Sequence, residues 1–215
     1  MLAHYGYAVL QLNFRGSGGF GKSFEAAGQG QWGGVMQDDL TDATRSLIEQ
    51  GIADPQRICI YGSSYGGYAA LMGAVKEPAL YRCAIGSMGV YDLPMMFREG
   101  DIRESSSGLE YLRQTLGTDK ELQQARSPTY NAAKIEANVL LIHGTADKRA
   151  PIKHAQAMKS ALDNAEKSYE WLQIKAGGHG FYNEENREIA YRRVLDFLHA
   201  NIGQPDEPVS AISVD

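Results

Sequence analysis

Three side chains of this 215-residue chain could together perform nucleophilic catalysis: Ser64, Asp147 and His179. Ser64 sits at the centre of Gly62-Ser63-Ser64-Tyr65-Gly66, a G-x-S-x-G pattern. A serine hydroxyl is a weak nucleophile near neutral pH. It needs a base to take its proton and a third group to hold that base in one tautomer and orientation. Asp147 follows the apolar run Asn138–Gly144, and His179 follows the apolar run Tyr169–Ile174 within Lys175-Ala176-Gly177-Gly178-His179-Gly180-Phe181. Structural readings compete with each: aspartate is a common turn residue, and His179 could be a glycine-flanked surface histidine. G-x-S-x-G also recurs by chance in a chain with 24 glycines. The order and the placement carry more weight than any one motif.

The elements that must position these residues read as alternating strands and helices, which implies a mostly parallel sheet covered by helices on both faces. Strands are expected over residues 7–14, 57–61, 81–88, Asn138–Gly144 and Tyr169–Ile174. Helices are expected over 36–50, 67–75, 152–164 and 184–201. Residues 57–61 lead into the serine and 67–75 lead away from it, the strand–turn–helix context that a nucleophile elbow requires. Such a turn exposes the Ser64 hydroxyl and aims the Tyr65 backbone N–H at a developing oxyanion. Its flanking glycines are expected because the crossing leaves no room for a Cβ. The chain order Ser, Asp, His is that of an α/β-hydrolase, and acid and base each lie just past a strand's C-terminal end, where sites of open α/β sheets assemble. Between residues 92 and 136 the pattern is mixed, with Ser105-Ser106-Ser107-Gly108 read as a mobile stretch. Residues 1–202 read as one domain and 203–215 as a frayed tail.

Gly16-Ser17-Gly18-Gly19-Phe20-Gly21-Lys22-Ser23 matches the phosphate-binding G-x-x-x-x-G-K-[ST] pattern. A phosphate loop must open a helix, yet Gly28, Gly30, Gly33 and Gly34 follow within one helix length, each costing about 1 kcal/mol against alanine. Nucleotide binding is therefore set aside. His143 begins the turn before Asp147 and reads as a backbone-shaping residue. His4, His154 and His199 lack metal-ligand spacing, so no metal and no cofactor is expected. Cys59 and Cys83 each fall inside an apolar strand and read as buried, inert thiols. A net charge of −5 gives no basic footprint for nucleic acid, and no apolar run approaches a membrane span. No leader-like segment is seen, which favours the cytoplasm.

Four segments together resemble the prolyl oligopeptidase family of serine peptidases, in its acylaminoacyl-peptidase and dipeptidyl-peptidase-like branch. They are Asn13-Phe14-Arg15-Gly16-Ser17 with Gly19-Phe20-Gly21; Gly62 to Gly67; His143-Gly144-Thr145-Ala146-Asp147-Lys148-Arg149-Ala150-Pro151; and Gly178-His179-Gly180-Phe181. The likeness runs from Tyr5 to about Ile202, with Ala150 where the family usually has valine. It implies an α/β-hydrolase fold lacking its first strands, with a triad of Ser64, Asp147 and His179 and the oxyanion donor at the Tyr65 N–H. It further implies a short peptide as substrate, an S1 pocket drawn from Tyr65, Val90, Leu93 and Met96, and a substrate-carbonyl contact at Arg149. In the family, a His-Gly-Gly-Pro-like segment with a second oxyanion donor, and often a β-propeller, come before the point matched by Met1. The resemblance therefore implies a partial catalytic domain of weak or no activity, with an open sheet edge through which copies could associate. A carboxylesterase of the same fold and a catalytically silent fragment are the alternative readings.

Overall fold

A parallel four-stranded sheet in the order β1-β2-β3-β4 organises the chain, built from Cys59–Ser63, Cys83–Ser87, Asn138–Gly144 and Tyr169–Ile174. It is seen in a computed structural model that describes residues 1–203. The helices are α1 (Lys22–Ala26), α2 (Val35–Glu49), α3 (Tyr65–Lys76), α4 (Ser106–Leu116), α5 (Lys120–Ala125), α6 (Lys153–Asn164) and α7 (Glu184–Ile202). Strands buried on both faces need apolar residues on both faces, and β2 and β3 supply them. Ala84, Val139 and Leu141 turn into a core shared with Met36, Leu71, Met158 and Leu162. Cys83, Ile85, Leu140 and Ile142 turn the other way, against Val194, Phe197 and Leu198 of α7. Among the described residues, no helix is long and apolar enough to cross a membrane.

The α3 helix is buried along residues 67–75 because it lies between the sheet and α2. Small residues (Gly67, Ala69, Ala70, Gly73, Ala74) let it approach β1 and β2 closely. On α2, buried Gln37 donates from Nε2 to the Ala69 carbonyl at 3.1 Å, tying the two helices together.

Three expectations are corrected. Residues 7–14 form no strand. The segment is tied at one end by Tyr7 Oη donating to the Gly203 carbonyl at 3.2 Å and at the other by the Phe14 ring 5.2 Å from Tyr65. Among the described residues no strand pairs with it, and Val9 and Leu10 are exposed. Apolar periodicity marks a strand only where the segment lies within hydrogen-bonding reach of another strand. Cys59 and Cys83 are not free thiols: the parallel register sets them side by side, Cα to Cα 4.6 Å, and they form a disulfide joining β1 to β2. Residues 105–108 are not a loose stretch either. The Ser105 hydroxyl accepts the Gly108 N–H at 3.0 Å and caps α4. All of the expected tail except Gly203 lies outside the described residues.

On α6, His154 is 1% exposed. Its Nδ1 accepts the Tyr91 N–H at 3.3 Å. Burial first, then the neighbouring His143, pushes its pKa down to about 3. An unfolded histidine titrates near 6.5, so between these values the unfolded chain binds the extra proton. Stability is then complete above about pH 6.5 and falls by roughly 1 kcal/mol per unit as pH drops toward 3. Burial lowers His143 as well, with the same sign. The urea midpoint is expected to fall between pH 7 and pH 5, and His154→Asn, which keeps an acceptor but does not titrate, to flatten that decline. An equally steep decline in the variant would contradict the assignment.

Candidate active site

β1 ends at Ser63, and the chain reverses into α3 through Ser64, which holds φ 58° and ψ −118°. A positive φ is costly for a residue with a Cβ, so the surroundings must enforce it. The Ser64 N–H donates to the Ser87 carbonyl at 2.9 Å, hooking the turn to the end of β2, and the Tyr68 N–H donates back to the Ser64 carbonyl at 3.1 Å. A Cβ on Gly62 would stand 2.2 Å from the Gly66 carbonyl oxygen, whereas one on Gly66 would meet nothing within 4 Å. The steric demand thus falls on Gly62 alone of the two motif glycines. Tyr65 is the first residue of α3, so helix geometry leaves its N–H without an intrahelical acceptor.

The acid and the base come from the loops after β3 and β4. These strands are neighbours, with Gly144 opposite Ile174. Their loops meet backbone to backbone: a Cβ on Gly144 would stand 2.2 Å from the Gly177 carbonyl oxygen. The Ala146 N–H donates to Gly177 at 2.9 Å, and the Ala176 N–H to the Thr145 hydroxyl at 2.8 Å. Asp147 is buried, and its Oδ1 accepts the N–H groups of Arg149 at 3.0 Å and Ala150 at 2.9 Å. Its Oδ2 lies 2.8 Å from His179 Nδ1, and His179 Nε2 lies 2.9 Å from Ser64 Oγ. A carboxylate only accepts, so the ring proton sits on Nδ1 and Nε2 presents a lone pair to the serine hydroxyl. The fold brings together three residues separated by 115 and 32 positions in the chain.

The expected pocket residues divide. Tyr65 stacks in a cluster with Phe14, Trp32 and Tyr68, ring centroids 4.5–5.7 Å away. Burial raises its hydroxyl pKa, and that hydroxyl has no hydrogen-bond partner among the described residues. Val90, Leu93 and Met96 all belong to the buried core. Arg149 projects from the Asp147 loop, half-exposed, with Nε 2.8 Å from Asp101. Sequence reading gave no hint of that ion pair, nor of Arg15 clamping Asp39 through both side chain and backbone. The phosphate-loop pattern begins one residue after Arg15 and opens only the five-residue α1.

A model of the prolyl oligopeptidase family matches residues 1–205. The chain belongs to that family. It is 35% identical to a dipeptidyl aminopeptidase BIII of Pseudoxanthomonas mexicana over 97% of its own length and 31% of that protein's. It is 30% identical to dipeptidyl peptidase family member 6 of Caenorhabditis elegans over 96% of its length and 29% of that protein's. Its fold is similar to a puromycin-hydrolyzing peptidase of Mycobacterium tuberculosis, with a TM-score of 0.83 at 27% identity over 92% of this chain and 30% of the other. An acylaminoacyl peptidase solved with a chloromethyl ketone gives 0.80 at 25% identity over 91% and 32%. The fold is that of an α/β-hydrolase, and the chain spans about a third of the length of the family members it matches.

The elbow makes a testable contrast in stability. Gly62→Ala should cost about 1–3 kcal/mol as an overpacked substitution, whereas Gly66→Ala, helical and facing open space, should be neutral or stabilising by up to about 1 kcal/mol. Urea unfolding of both variants reads this directly, and equal losses would contradict the steric assignment.

Proposed function

We propose that the chain is the catalytic part of a serine peptidase that hydrolyses short peptides through an acyl-enzyme at Ser64. The observation that carries this is the hydrogen-bonded run from Ser64 Oγ through His179 to Asp147, at 2.9 and 2.8 Å. In this reading His179 Nε2 takes the hydroxyl proton as Ser64 attacks the scissile carbonyl. Asp147 stabilises the imidazolium, and the Tyr65 N–H donates to the oxyanion. His179 then returns the proton to the leaving amine, and water repeats the sequence on the ester. Residues 1–202 form the catalytic unit. Peptide hydrolysis is favoured over ester hydrolysis by the family, whose matched members include dipeptidyl and acylaminoacyl peptidases.

Turnover of peptide naphthylamides and p-nitrophenyl esters tests this. Ser64→Ala should lower turnover by at least about 10³-fold with unchanged melting, and His179→Ala should match it without adding to it. Ser63→Ala should stay within about threefold, since its neighbour carries the chemistry. Equal losses at Ser63 and Ser64 would reject Ser64 as the nucleophile. Ester turnover without peptide turnover would make the chain an esterase.

Tyr65, Val90, Leu93 and Met96 carry no charge, so we propose that they favour uncharged P1 side chains, with Arg149 contacting a substrate carbonyl once released from Asp101. A tenfold or greater preference for P1 arginine would overturn this pocket.

Copies of the chain are proposed to associate through β1, which pairs on one side only among the described residues and exposes Tyr61. Light scattering should give a dimer or larger, and Tyr61→Lys a monomer. A monomeric parent chain would rule this out.

A further inference from the structure

Asp147 rides on a turn that a buried histidine closes from beneath. His143 is fully buried at the end of β3, with Nε2 2.7 Å from the Ala150 carbonyl oxygen. A carbonyl only accepts, so Nε2 carries the ring proton. Nδ1 is then a lone pair, and it has no hydrogen-bond partner among the described residues. The Ala150 backbone is gripped on both sides of its Cα: its carbonyl by His143 and its N–H by Asp147 Oδ1 at 2.9 Å. This leaves Oδ2 for His179 Nδ1 at 2.8 Å. His143 Nε2 also lies 3.6 Å from Oδ2, too long for a hydrogen bond. The groups acting on this ring are Asp147, His179 and, from α6, His154, which in turn faces Glu99. Burial keeps both histidines neutral.

We infer that His143 is a positioning residue: as a neutral Nε2–H donor to Ala150 it fixes the Asp147 carboxylate against His179. The inference rests on the hydrolase reading of Ser64, Asp147 and His179. Without His143 the Ala150 carbonyl is no longer held, Ala150 can shift, and the N–H that orients the carboxylate shifts with it.

His143→Leu removes the donor, whereas His143→Gln offers an amide N–H at about the reach of Nε2. In the leucine variant kcat should fall about ten- to a hundredfold with KM within about twofold, the signature of a displaced catalytic group rather than lost substrate binding. The strongly deshielded proton NMR signal of His179 Nδ1–H should vanish or move upfield. The glutamine variant should recover the signal and most of kcat. Unchanged kcat and signal in the leucine variant would overturn the inference, as would a folded glutamine variant as impaired as the leucine one. If the leucine variant does not fold, the glutamine variant decides by the same two readouts. If the parent chain has no turnover, fluorophosphonate labelling of Ser64 decides the hydrolase reading separately, and the proton signal still decides the coupling: persistence in the leucine variant overturns it, loss with recovery in glutamine upholds it.

Discussion

The close backbone approach of Gly62 to Gly66 is the constraint from which the rest of the site follows. With the strand and the helix this near, Ser64 must take φ 58°, a conformation that costs on the order of 1–3 kcal/mol and persists only where its surroundings over-determine it. Those surroundings are substantial: β1 paired to β2 and joined to it by the Cys59–Cys83 disulfide, the Ser64 N–H on Ser87, and an α3 helix buried along nine successive residues. Burial of α3 offsets the strain, and the strain leaves the serine hydroxyl standing clear of the helix it begins.

The second requirement is that two loops far apart in sequence meet beside that hydroxyl. Parallel register does most of this, because β3 and β4 are adjacent and both loops leave from the same edge of the sheet. The glycines at 144 and 177 then let the loops touch through their backbones, and hydrogen bonds from Ala146 and Ala176 lock them. Asp147 is held on one oxygen by backbone N–H groups and turned with the other toward His179. A carboxylate with both oxygens assigned has little freedom to reorient, which suits the proposed role of fixing an imidazole.

The parts of the molecule legible in the sequence were those encoded locally. Strands β3 and β4 have the bounds expected of their apolar runs, and α3, α6 and α7 begin within two residues of expectation. Ser64, Asp147 and His179 were legible because G-x-S-x-G and two strand-end loops stand in a fixed order. What depended on pairing was not. Residues 7–14 have a strand's composition, but strand formation belongs to two segments and not to one. Cys59 and Cys83 become partners only through the β1–β2 register, which no feature within either strand specifies. Ser105 reads as part of a loose serine run until α4 provides the N–H that it caps. His143 reads as backbone-shaping from its place before the turn, but the carbonyl it meets, and the N–H that His154 meets, depend on burial that no local pattern encodes.

The account turns on Ser64 being activated by His179, and active-site labelling measures that most directly. The chain would be treated with a fluorophosphonate, digested, and its adduct located by tandem mass spectrometry. The account predicts a single phosphonylated residue, Ser64, with labelling lost when His179 is replaced by alanine. An adduct on Ser63 or another hydroxyl, or equal labelling of Ser64 without His179, would contradict it.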